Sequence, residues 1–301
     1  MRVLLAGSTG TVGTHVVRRL RDAGHEVLGI TRRAGSLAGT GAQEIVADVS
    51  DRRAFLEALD GLTADAVIDE IGAAVSFPSG YAGMRTLNRQ RAEGTSTLIA
   101  AARRLGAKKF VAASPFYGYG FSDHGDEKVT ESAPFGEPDG TANDEVLLGV
   151  IRHEQQVRAF GGITLRYGLI YAPGATSIPP IPRRWVGSLP IVHADDAAAA
   201  AVLAVESHWR GQSYNIADDS DASWRDLQTA QALFDGFRPP LELPNGFLRS
   251  LAPFGSQIIV STSLRMSTDK ARNDLGWTPG YPCLPAGLPS ANTRADVGVA
   301  A

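Results

Sequence analysis

The chain predicts an α/β fold, a doubly wound parallel sheet with a small C-terminal lobe, and three observations carry this. Short apolar runs alternate with stretches of helical period from residue 2 to residue 217, the pattern of a parallel sheet covered by helices on both faces. The first alternation is joined by a glycine turn, MRVLLAGSTGTVG at residues 1–13. The regular pattern then gives way at residues 173–190, a stretch rich in proline and glycine that marks a change of organisation.

Residues 2–6 are an apolar run of the length of one buried strand. Gly7, Gly10 and Gly13 follow as G-x-x-G-x-x-G, and Val12, Val16, Val17 and Leu20 recur at helical spacing until Gly24. A strand, a glycine turn and a helix make a Rossmann-type dinucleotide cradle. Gly7 permits the tight turn, Gly10 lets backbone N–H groups approach a pyrophosphate, and Gly13 lets the helix pack close to the strand, its N-terminus facing the anion. Thr9, Thr11 and Val12, set among these glycines, count with them as cofactor-binding. Further strands are expected at 26–31, 44–47, 66–71, 109–114 and 163–171, with helices at 53–59, 83–105 and 143–160. His193 opens a buried Ala/Val helix that runs to 206, and 213–217 is a last short strand. The domain reading is a dinucleotide-binding unit at 1–172, to which 193–217 returns, and a substrate lobe from 173–192 and 218–289. Within that lobe, 223–234 and 268–275 are helical, and 290–301 is a small, polar, fraying tail.

With 301 residues, 44% hydrophobic and 20% charged, the composition is that of an ordinary globular protein. A net charge of −3 gives no basic face for nucleic acid. Cys283 is the only cysteine, which excludes an internal disulfide and a Cys-based metal cluster, and no other metal-ligand spacing occurs. The opening apolar run is too short for a signal peptide and no segment approaches transmembrane length, so a cytoplasmic protein without a membrane partner is expected.

Seven motifs in order resemble the extended short-chain dehydrogenase/reductases, the NAD-dependent epimerase/dehydratase group. They are GSTGTVG at 7–13, EGT at 93–95, FVAAS at 110–114, LRYGLIYAPG at 165–174, VHADDAAAA at 192–200, YNIAD at 214–218 and LGW at 275–277. The resemblance runs from residue 1 to about 289. It implies a nicotinamide cofactor held between a Rossmann domain and a substrate lobe, a small-molecule substrate, and a homodimer joined through the helices at 83–105 and 143–160.

Cofactor type is argued from residues. NAD-preferring units place an acid near the end of the second strand, on the ribose 2′-OH. Here that place is Thr31-Arg32-Arg33. No carboxylate stands there to repel a 2′-phosphate, and two guanidinium groups are available to grip it, so NADP is preferred and NAD is the alternative. Asp48-Val49 resembles the family's contact with the adenine edge. Gly72-Ala73-Ala74 resembles its small-residue step past the sheet edge, and Tyr167 takes the place of a family proline beside the nicotinamide.

The family's chemistry rests on Tyr-x-x-x-Lys, in which the Tyr exchanges the substrate proton and the Lys holds the ribose. None of the seven tyrosines has a lysine four residues later, and the four lysines are Lys108, Lys109, Lys128 and Lys270. Counting back from Glu154 puts Val146 and Val150 in the two places. Arg91 stands where the family has an asparagine, with Asn88 on the same helix face. The candidates for replacement chemistry are Ser114 at the end of the fifth strand, Tyr117 in SPFYGYG at 114–120, and His153 one turn beyond Val150. Tyr117 is the first choice for the proton donor, while Asp196 reads as a helix cap. Three functions remain open: a reductase or epimerase that moves hydride, a non-redox isomerase or cyclase using the pocket for positioning, and a nucleotide sensor of the NmrA-like kind.

Overall fold

The computed structural model describes residues 1–72, 80–138 and 140–288. The chain opens with β1 (Arg2–Ala6), α1 (Thr11–Asp22), β2 (Glu26–Thr31), β3 (Gln43–Val46), α2 (Arg52–Glu57), β4 (Ala66–Asp69) and α3 (Tyr81–Leu105). It continues through β5 (Lys109–Pro115), β6 (Asp123–Val129), α4 (Asn143–Phe160), β7 (Ile163–Tyr167), β8 (Leu169–Tyr171), β9 (Ile181–Pro182) and β10 (Ile191–His193). It ends with α5 (Ala194–Glu206), β11 (Ser213–Ile216), α6 (Trp224–Asp235), β12 (Glu242–Leu243), α7 (Asn245–Leu251), β13 (Ser263–Met266), α8 (Asp269–Leu275) and α9 (Leu284–Gly287).

Seven parallel strands form one sheet in the order β3-β2-β1-β4-β5-β7-β11. Successive side chains of a strand point to opposite faces, so each strand feeds two cores. Val3 and Leu5 of β1 are buried with Val12 and Val16 of α1 and Ala197 and Ala201 of α5. Leu4 and Ala6 are buried on the other face with Phe55 of α2 and Leu98 and Ala102 of α3. Strand order reverses between β1 and β4, and a crevice opens at the carboxyl ends of the strands there, as such switch points dictate.

Two expectations are corrected, and one strand is new. Residues 163–171 are not one strand. They break at Gly168, where a Cβ would lie 2.6 Å from the Pro190 carbonyl oxygen, and Leu169–Tyr171 leaves the main sheet to pair with Ile191–His193. Residues 268–275, expected in the lobe, return to the Rossmann core: Ala271, Leu275 and Trp277 pack into the same apolar cluster as α5 and β11, and Trp277 Nε1 donates to the Asp196 carbonyl at 3.0 Å. β6 carries mostly exposed, charged residues with no apolar alternation, so periodicity misses it; it pairs in parallel with β13 of the lobe. The tail from 289 onward lies outside the described residues. No helix among the described residues is long and apolar enough to cross a membrane, and none of their His, Cys, Asp and Glu side chains gather in threes to hold a metal.

Candidate active site and cofactor crevice

The glycine turn is built by close approach. Gly7 has φ +82°, and a Cβ there would meet the Glu70 backbone carbon at 2.8 Å, so the turn lies directly on the end of β4. A Cβ on Gly13 would lie 2.0 Å from the Gly7 carbonyl oxygen, so α1 packs on the turn with no room for a side chain. Gly10 caps α1 without a side-chain acceptor, and the first turn of α1 carries no acid. The N-terminal N–H groups and the positive end of the helix dipole are therefore left for an anion. Ser8 Oγ donates to the Ile30 carbonyl at 2.6 Å and ties the turn to β2.

These elements wall a crevice of about 480 Å³. Among the expected cofactor residues, Gly7, Thr9, Gly10 and Thr11 line it, as do Arg32, Asp48, Val49 and Gly72. Val12 and Gly13 lie beneath, buried in the helix packing. Arg33 is exposed and outside the lining, with its N–H donating to Thr31 Oγ1 at 3.0 Å. Ala73 and Ala74 lie outside the described residues. The end of β2 carries no acid. Glu44 accepts from the Gly35 and Leu37 amides at 2.7 and 3.1 Å and is spent on holding the following loop. Asp48 Oδ1 accepts from the Ser50 amide and hydroxyl, and these bonds, with Arg32 nearby, hold its carboxyl below the usual range. An uncapped helix end, a glycine floor, an apolar Val49 and an exposed Arg32 fit a dinucleotide.

Tyr167 is fully buried, with its hydroxyl 3.0 Å from Glu70 Oε1 and 3.2 Å from the Ala197 carbonyl oxygen. Glu70 lines the crevice beside it. Glu70 belongs to none of the sequence motifs, although two carboxylates end the otherwise apolar run at 66–70. Leu87, Glu93 and Gly94 of α3 were also missed as lining; only a tertiary contact brings α3 against that end of the crevice.

The catalytic candidates separate. Ser114 Oγ donates to Glu154 Oε1 at 2.7 Å, inside a buried network. There Arg166 grips Glu154 through Nε and NH2, at 3.0 and 2.8 Å, and donates to Tyr119 through NH1. His153 sits between Thr95 Oγ1 at 2.8 Å and the Ala113 carbonyl at 3.0 Å. Burial, with the Arg91 cation nearby, pushes it down to about 3. It is therefore neutral, Nε2–H donates to Ala113 and Nδ1 faces the Thr95 hydroxyl, which also donates to the Arg91 carbonyl, so neither nitrogen is left for a substrate. This corrects its expected role: the side chain braces α4 against β5. Tyr117 is buried in an apolar cluster with Val146 and Val150, its ring stacked on Phe121 and edge-on to Phe254. Its hydroxyl has no hydrogen-bond partner among the described residues. Asn88 donates to the Glu145 and Val146 carbonyls and accepts from Arg91, so the pair expected on one helix face locks α3 to the start of α4.

A second cavity, of about 620 Å³, meets the crevice at Thr11. Leu169, Ile170, Trp224, Leu227, Leu248 and Ile259 give it apolar walls. Its polar groups are neutral, chiefly Gln228 and Gln231 of α6, and no Lys, Arg or His is among its described lining residues.

The family model described as NAD dependent epimerase/dehydratase family matches residues 3–183. The 3-diazoavenalumate denitrifying reductase of a Streptomyces species is 32% identical over 308 residues, covering 96% of this chain and 99% of that protein. Among solved structures, the UDP-glucose 4-epimerase of Thermotoga maritima, crystallised with UDP-glucose, aligns with a TM-score of 0.74 at 18% identity over 96% of each chain. A human epimerase family protein crystallised with NADPH aligns with a TM-score of 0.71 at 20% identity, over 96% of this chain and 98% of that one. These two structures speak for the fold. Strand order, glycine cradle and family model agree: the chain belongs to the NAD dependent epimerase/dehydratase family and, with it, to the NAD(P)-dependent oxidoreductases and epimerases.

Proposed function

We propose that this protein is an NADP(H)-dependent reductase of a small, uncharged, largely apolar organic substrate. The observation that carries the reading is the second cavity, apolar and without a cation among its described lining residues, opening onto the crevice at Thr11. A nucleotide-sugar substrate brings a diphosphate, which calls for guanidinium or ammonium partners in the substrate lobe. An apolar substrate is favoured instead by area removed from water, and Leu251 at the cavity edge is 58% exposed, ready to be covered. The Streptomyces relative is named a reductase, which supports the redox reading over a non-redox one.

Bound in the crevice, NADPH supplies hydride to the substrate. Arg32 is positioned for its 2′-phosphate, Asp48 and Val49 for the adenine, and the α1 N-terminus for the pyrophosphate. Val146 and Val150 are buried with Tyr117 in one apolar cluster, which keeps the surroundings of its ring apolar. With Ser114 and His153 committed to internal bonds, Tyr117 remains of the three sequence candidates for the closing proton. Two copies pair through the outer faces of α3 and α4, where Leu148 is 41% exposed.

The test is a substrate panel with NADPH deuterated at the transferred position: apolar aldehydes, ketones and enones beside nucleotide sugars. Deuterium is expected in an apolar product, and Tyr117→Phe is expected to lower kcat by about 10²–10⁴-fold with cofactor affinity unchanged. Turnover of nucleotide sugars alone would refute the substrate class. Full activity of the Phe variant would pass the proton donation to water.

A further inference from the structure

We propose that Glu70 makes dinucleotide binding proton-linked: the crevice takes the anionic cofactor while Glu70 carries its proton, and rejects it once Glu70 ionises. The inference rests on the cofactor reading above and adds a cofactor-site residue that no family motif supplied.

Three features of the geometry carry it. Glu70 lines the crevice, and its backbone stands against the Gly7 turn, the place where an incoming pyrophosphate concentrates its charge. The Tyr167 phenol is shared between two acceptors, so it gives Glu70 only part of a hydrogen bond. The Tyr167 oxygen lies within bonding distance of both Glu70 Oε1 and the Ala197 carbonyl, yet a phenol has one hydrogen. With Glu70 protonated both bonds form: its O–H donates to the Tyr167 oxygen, and the Tyr167 O–H donates to Ala197. With Glu70 ionised, the phenol turns to the carboxylate and the Ala197 carbonyl keeps only its bond within α5. Glu70 Oε2, moreover, is buried with no hydrogen-bond partner, which a neutral carboxyl tolerates far better than a carboxylate.

Nothing nearby neutralises a charge on Glu70. Among the described residues no Lys, Arg or His forms an ion pair with it. From its own strand the Asp69 carboxyl repels it, and Asp69 in turn is served by Arg91 of α3 on the other face. From β7 it meets the Tyr167 phenol, and from α5 the Ala197 carbonyl. The α5 carboxylates are engaged elsewhere, Asp195 by Arg18, Arg19 and His15, and Asp196 by the Gly280 and Tyr281 amides. Burial pushes Glu70 up to about 8, with the Tyr167 hydroxyl opposing the rise and the Asp69 carboxyl adding to it.

The experiment measures NADPH and NADH affinity by fluorescence from pH 7 to pH 9, for the wild type and for Glu70→Gln, which keeps a neutral side chain of the same size. The wild type is expected to weaken about tenfold for both dinucleotides over that range, the one-proton linkage for a group at about 8. Glu70→Gln is expected to be flat within about twofold. Calorimetry on the wild type at pH 8, in two buffers of different ionisation enthalpy, needs no variant and should show about half a proton taken up per dinucleotide bound. Zero proton uptake, or an equal pH dependence in Glu70→Gln, overturns the proposal while leaving the cofactor reading standing. Failure of the wild type to bind either dinucleotide at pH 7 overturns both.

Discussion

The glycine turn makes two sharply different demands, and two substitutions separate them. Gly13→Ala places a methyl 2.0 Å from the Gly7 carbonyl oxygen, where real Cβ contacts stay beyond 3.0 Å. Turn and helix must part by about 1 Å (3.0 minus 2.0 Å), and the obstacle is backbone rather than a flexible side chain. Overpacking of this kind costs about 3 kcal/mol, and at about 2 °C per kcal/mol for a chain of this size the melting temperature should fall by ~6 °C. The same shift moves the Gly7 turn away from Glu70 and spoils the cradle, so NADPH binding should be lost as well. Gly10 is different. A Cβ there meets only the Gly7 oxygen, at 3.2 Å, and otherwise faces the open crevice. Gly10→Val should therefore melt within about 2 °C of the wild type, yet lose the cofactor, because the branched side chain fills the space of the pyrophosphate. Thermal melts and a fluorescence titration of NADPH on the three proteins decide it. A Gly13→Ala protein that melts like the wild type, or a folded Gly10→Val protein that binds NADPH undiminished, would refute the reading of this turn.

Three further outcomes follow from the site. Arg32→Ala should weaken NADPH by about 1.5–3 kcal/mol and NADH hardly at all, since only a 2′-phosphate uses the guanidinium; equal losses for the two cofactors would remove Arg32 from that role. Glu154→Gln keeps the shape but strands the buried Arg166 charge, and should cost about 3–5 kcal/mol in urea unfolding; a loss under 1 kcal/mol would show that the ion pair is not what holds β7 to α4. His153 is pushed down to about 3 in the folded chain, below its unfolded value, so its stabilisation is complete above about pH 6.5 and is lost as pH falls toward 3. Between pH 7 and pH 5 the wild type should therefore lose about 2 kcal/mol more than His153→Gln, whose amide can still donate to Ala113; parallel losses would mean that His153 is not held neutral.

The sequence by itself determined the sheet and the cradle. Short continuous apolar runs, helices with period 3.6 and glycines at fixed offsets are local properties, and β1, α1 and the Gly7 turn follow from them directly. It also shows that none of the seven tyrosines has a lysine four residues later, because such a spacing is local. It did not determine which hydroxyls and imidazoles are free. Ser114 and His153 read as candidate chemistry until α4, β5 and α3 meet, when Glu154, Thr95 and Ala113 claim them. Nor did periodicity find β6, whose charged residues pair with a strand more than a hundred positions later, or the return of α8 to the Rossmann core. Glu70 shows the same limit most plainly. In the sequence it is a carboxylate at a strand end; only the packing of β7 and α5 against it, with Tyr167 and Ala197 contributed from far along the chain, buries it and decides whether it keeps its proton. Burial and hydrogen-bond pairing are sums over distant segments, and no local pattern encodes them.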